Sequence, residues 1–176
     1  LRDEAAEKRD RLKTLRAAIS AGVKDKKLHG LLSKVDECLS LQSGDAEMQK
    51  LRDRLQKREE KNAAQVADVV EKARGLRESC RFEAASKALS RIPPDLQTQE
   101  VIELLDECGS LGSLREKALA ALERAMESEK YKQGLTKTKD YRAALDVAGL
   151  EDDEFKSQYR ACKQAIGDQR EAEEAA

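Results

Sequence analysis

Apolar residues recur three and four positions apart along most of this chain, as in Leu12, Leu15 and Ile19, and again in Leu28, Leu31, Leu32, Val35 and Leu39. That period puts them on one stripe of an α-helix. Strand-favouring residues are scarce, since Val, Ile and Thr together number 15 of 176. Ala, Leu, Glu, Lys and Arg account for 102 residues, above the roughly half that marks long helices. The chain is therefore expected to be all-α. Trp is absent and the aromatic residues number only five, so Leu and Ala must supply most of the burial. Helices built this way pack closely but shallowly, which leaves little room for a deep ligand cavity.

Several classes are set aside early. No apolar run approaches the ~20 residues needed to span a bilayer, and no charged-then-apolar leader opens the chain. A cytoplasmic protein without membrane contact in this segment is expected. The start at Leu1 and the charged run over 170–176 read as a piece of something longer. Cys38, Cys80, Cys108 and Cys162 lie far apart with no close pair, and one histidine is present. That spacing argues against a zinc site and for buried free thiols in a reducing compartment. No metal and no cofactor are expected.

The first segment spaces Leu1, Ala5, Lys8, Leu12, Leu15, Ile19 and Gly22 by fours and threes, a heptad seam interrupted by Lys8. A stripe packed on neighbouring helices of the same chain fits it better than a zipper. A second helix carries Leu28 to Leu39, and Asp45 caps a third with Met48, Leu51 and Leu55 inward. Residues 56–61 are polar on every side and read as either a solvent-bridging helical segment or a short linker, and Asn62 with Gln65 spells a capping pair from which a new helix is expected. Two regions follow from this: an N-terminal hairpin unit over 1–61 and helical-repeat units over 62–176, one array in which residues 109–113 are either a break or a kink in a continuous helix. Within the second region, Pro93-Pro94 ends the helix that begins at Phe82. Gly149 is placed to close a helix in the left-handed conformation, and Asp152 to cap the last one.

One grammar occurs three times: a short helix, an apolar residue, a brief turn, a cap and a longer helix, at 28–55, 82–105 and 141–162. A hairpin of this kind cannot bury its stripe alone, so copies must stack. Phe82-x-x-Ala85-x-x-x-Leu89-x-x-Ile92-Pro93 and Tyr141-x-x-Ala144-x-x-x-Ala148 resemble the second helix of a tetratricopeptide-type repeat. The family's first-helix Trp and Gly-Tyr pairs are missing, and the spacing is longer than the family's. The wording is also similar to helical regions that lie between the catalytic and signalling domains of large bacterial regulatory proteins. The resemblance implies an elongated, TPR-like α-solenoid of six to eight antiparallel helices with a scaffolding or partner-binding role.

Catalysis has little support. His29 is the only imidazole available to a hydrolase and sits among lysines, where a solvated role is the plainer reading. Acidic pairs such as Asp152 and Asp153, or Glu59 and Glu60, arise by chance among 35 carboxylates. No glycine pattern cradles a phosphate. Catalytic, cofactor-binding and metal residues are thus read as none. Two turns are locally basic, one with Lys26 and Lys27, the other with Lys130, Lys132, Lys137 and Lys139. Aligning Ile19 with Leu122 brings Leu28 onto Tyr131, so the clusters would occupy equivalent ends of a hairpin and offer a docking edge to an acidic protein partner. Glu127, Glu129 and Asp140 cancel much of the field, so nucleic acid is not expected as a partner. The reading is a monomeric, non-catalytic interaction or spacer module. Its alternative is an oligomerising coiled coil in which residues 1–19 and 45–80 zip against copies of themselves.

Overall fold

The computed structural model describes residues 2–175; Leu1 and Ala176, the end positions of the seam and of the charged run, lie outside them. Among the described residues there are eight α-helices and no strand: α1 Arg2–Lys24, α2 Leu31–Leu41, α3 Ala46–Glu78, α4 Phe82–Leu89, α5 Gln99–Ser128, α6 Tyr131–Lys137, α7 Lys139–Ala148 and α8 Asp153–Glu174, with a 3-10 turn over Pro94–Leu96. Among the described residues no helix is long and apolar enough to cross a membrane. The chain divides into two compact units between Val66 and Ala67, within α3.

Unit 1 packs α1, α2 and the first half of α3 around Leu15, Ile19, Leu31, Val35, Cys38 and Leu55. Among the described seam positions of α1, Ala5 and Lys8 are exposed, Leu12 is half-buried, and Leu15 and Ile19 are buried inside the unit. Gly22 stands at the closest approach to α2, where a Cβ would lie 2.8 Å from a methyl of Leu31. Helix α2 begins at Leu31 rather than Leu28, because Gly30 takes a left-handed conformation (φ 71°) immediately before it. Asp45 caps α3, accepting from the amides of Glu47 and Met48 and from Arg16 at 2.5 Å. Asp36 of α2 pairs with Arg52 of α3.

Helix α3 continues through Asn62, where the capping pair predicts a new start. The polar stretch at 56–61 is exposed on every side, so no packing holds it. Its residues are strong helix formers, and Gln56 donates to Glu60 one turn on, which supports a solvated helix by propensity and local pairing.

In unit 2, α5 is the element the others meet, packing on α4, α6, α7 and α8, while α6 also packs on α8. Of the two readings of 109–113 the continuous helix holds, and α5 runs unbroken from Gln99 to Ser128. Each helical glycine costs about 1 kcal/mol relative to Ala. The burial of Cys108, Leu111, Ala118 and Leu122 on either side, at about 1.5–3 kcal/mol for a large apolar side chain, outweighs that. Gly112 is also where α4 comes closest, since a Cβ there would lie 3.3 Å from Phe82 Cβ. Arg77 of α3 grips Glu107 of α5 through two hydrogen bonds, and Arg74 pairs with Glu100.

One turn and one burial pattern recur along the chain, in a register different from the one read above. Helices α1, α3 and α5 each end at a non-glycine residue with positive φ: Lys26 (59°), Cys80 (54°) and Glu129 (57°). The two that follow with a helix at once do so in nearly the same way, with Arg81 at φ −94°, ψ 55° and Lys130 at φ −94°, ψ 49°. Counting from the second residue after each of these three, Leu28, Phe82 and Tyr131 head segments that bury the positions three, seven and ten residues on. Those are Leu31, Val35 and Cys38; Ala85, Leu89 and Ile92; Gly134, Thr138 and Tyr141. The third short segment therefore begins at Tyr131, and Tyr141 answers to Ile92 instead of Phe82. It is also longer, and it absorbs the extra length by breaking at buried Thr138, whose hydroxyl donates to Leu135 O at 2.8 Å.

Candidate functional site

Two groupings of polar side chains stand out in unit 2, one buried and one exposed. The buried one is assembled from α5, α7 and α8. Asp152 ends the turn after α7, which Gly149 makes by taking φ 64°. Its carboxylate caps α8 by accepting from Phe155 N at 3.1 Å. The same carboxylate accepts from Tyr141 Oη at 2.7 Å and from Arg115 Nε at 2.7 Å, both on Oδ2. Arg115 also reaches Glu154 at 2.5 Å. Asp152 is only 3% exposed, so this is a buried charge that is both paired and hydrogen-bonded.

Burial alone would push the Asp152 carboxyl up. The hydrogen bonds from Arg115, Tyr141 and the Phe155 amide outweigh it and hold the group below the usual carboxylate range. Burial and the neighbouring carboxylate push the Tyr141 phenol well up. The Arg115 guanidinium, despite burial, is raised by its two carboxylate partners. A carboxylate whose oxygens are taken by three donors, and a phenol held protonated, carry no proton at neutral pH that could be moved without dismantling the cluster. Its chemistry is that of a clamp.

All four cysteines are free and buried. Burial pushes the thiols of Cys80, Cys108 and Cys162 up, which removes the thiolate a nucleophile or metal ligand requires. Among the described residues no group of three or more His, Cys, Asp or Glu side chains could hold a metal ion. His29 is exposed in the turn ahead of α2, and Glu59 and Glu60 lie on the solvated part of α3.

The exposed grouping contains the lysines singled out in the sequence. Lys26 and Lys27 lie in the turn after α1 in unit 1; Lys130, Lys132, Lys137 and Lys139 lie on and beside α6 in unit 2. All six are exposed. Lys132 and Lys137 line a shallow depression with Gln133 and Thr136. Lys26 and Lys27 have no such helical face, because the segment after them stays irregular until Leu31.

Sequence reasoning identifies Asp152 as a cap and Tyr141 as the aromatic of a repeat-like spelling but does not join them to Arg115. Arg115 falls just after the break or kink read at 109–113, and only an unbroken α5 fixes which way it faces. No protein-family model, curated protein sequence or solved structure matches the chain.

Proposed function

We propose that this chain is a non-catalytic, tetratricopeptide-like helical-repeat module that holds or spaces a protein partner within a larger bacterial regulatory protein of the cytoplasm. The observation that carries the reading is the recurrence of one turn and one burial pattern at Leu28, Phe82 and Tyr131. Tandem hairpins bury their apolar stripes on neighbouring helices, which leaves polar outer faces for recognition. The saturated Asp152 cluster and the four buried thiols favour structure over chemistry. The coiled-coil alternative is less favoured because Leu12, Leu15 and Ile19, the apolar half of the seam, are already engaged inside unit 1.

Affinity capture with the intact chain tests the module reading. A protein retained in stoichiometric amount and released by competing free chain is expected. Retention of nothing above the level seen with a heat-unfolded control would contradict it. Light scattering separates the alternative: the module has the mass of one 19.6 kDa chain at all micromolar concentrations, whereas a zipper shows a dimer that grows with concentration.

A further inference from the structure

Helix α3 carries a start signal that it does not use. Asn62 and Gln65 have the spelling of a capping pair, yet α3 runs through both from Ala46 to Glu78. Asn also ranks low among residues for a helix interior. A local signal that contradicts the observed backbone marks a functional or strained position.

The same kind of spelling occurs at Ser113 and Glu116 in α5. There packing overrules it, because Leu111 and Ala118 on either side are buried. In α3 that restraint is missing. Residues 56–69 are exposed or half-buried throughout, between buried Leu55 in unit 1 and buried Val70 in unit 2, so roughly 21 Å of helix is held mainly by its own backbone. Gln56 donates to Glu60. Among the described residues, however, no side-chain hydrogen bond or ion pair links the part of α3 before Asn62 to the part after it.

A break after Lys61 frees the amides of Ala63, Ala64 and Gln65 from the carbonyls one turn earlier. Water can satisfy those carbonyls and the first two amides in so exposed a stretch. The third amide is served by the Asn62 side chain. The broken form therefore loses little that is not replaced, and the pair that is idle in the continuous helix is put to use.

We propose that α3 is a two-state joint whose continuous form interconverts with a form broken at Asn62. In the broken form Asn62 Oδ1 accepts from the Gln65 amide, the Gln65 side-chain oxygen accepts from the Asn62 amide, and each unit stays folded. The joint gives the linking helix one defined point at which it yields. It does not depend on what the chain binds.

Amide hydrogen exchange of the intact chain, read residue by residue by NMR, tests the proposal. After correction for intrinsic rates, Ala63 and Ala64 should exchange about tenfold or more faster than Arg58 and Val69 in the same helix. Leu114 and Arg115, which follow Ser113 in α5 as Ala63 and Ala64 follow Asn62, should stay as protected as their neighbours. Two variants separate a capped break from simple fraying. Asn62→Thr and Asn62→Val introduce side chains of the same shape and similar helix propensity, but only the Thr hydroxyl can cap. The fast exchange at Ala63 and Ala64 should persist in the Thr variant and slow by about fivefold in the Val variant. A flat profile from residue 57 to residue 69, or Thr and Val variants that exchange alike at Ala63 and Ala64, overturns the proposal.

Discussion

Asp152 serves two roles with one carboxylate: it ends the turn after α7 by capping α8, and it neutralises Arg115 while accepting from Tyr141. The substitution Asp152→Asn keeps the size but removes the charge, leaving Arg115 without its buried partner. Loss of one member of a buried ion pair costs about 3–5 kcal/mol. The amide oxygen of the substituted side chain would retain part of the cap, so a loss near the lower end is expected in urea unfolding. The pH dependence follows from the direction of the shift. The folded carboxyl lies below its unfolded value of about 3.9, so the unfolded state binds more protons. The stabilisation is complete above that value and is lost as pH falls through the folded one. The parent should therefore lose stability more steeply than Asp152→Asn as pH is lowered from about 5, and parallel curves would show that the carboxylate is not engaged as described. Sequence alone identifies the cap, because an Asp before a helical stripe is a local signal. The clamp was hidden because Arg115 lies far along the chain.

At the scale of the element, three long helices end at non-glycine residues in the left-handed region. That conformation costs roughly 1–2 kcal/mol for a residue with a Cβ. Glu129 is exposed and closes α5 in that conformation, so Glu129→Gly should raise stability by about 1 kcal/mol, net of the extra freedom glycine has when unfolded. A destabilised variant in thermal unfolding would mean that α5 does not end in this way. The opposite outcome is expected at Gly134, where a Cβ would lie 2.4 Å from Ala125 Cβ. Gly134→Leu should cost about 1–3 kcal/mol or more through overpacking, and an unchanged melting temperature would separate α6 from α5. These junctions also show what a sequence can disclose. Pro93-Pro94, Gly149 and Asp45 act within a few residues and are legible. The continuity of α5 past Gly109 and Gly112 rests on the burial of Cys108, Leu111, Ala118 and Leu122 against helices distant in sequence, so packing overrules a break that propensity alone allows. The aromatic spelling at Tyr141 suggests a start there for the third segment, whereas the turn and burial pattern recurs from Tyr131, the position that the match of Ile19 with Leu122 also reaches.

For the whole molecule, composition was enough to give an all-helical chain, because a sequence so poor in β-branched residues has no means of building a sheet. The packing partners of each stripe were less legible, since many Leu and Ala residues at helical spacing suit either a neighbour in the same chain or a second copy. The central claim is that every stripe is covered by the chain's own helices. The cysteines report on it directly, because Cys38, Cys80, Cys108 and Cys162 belong to different buried stretches and are all at most 5% exposed. Titration with a coloured disulfide reagent, on native protein diluted until no oligomer persists, is the decisive measurement. All four thiols should stay unreacted until denaturant is added and then react together. A thiol that titrates at once, while circular dichroism remains native, would show that its stripe is open in the single chain.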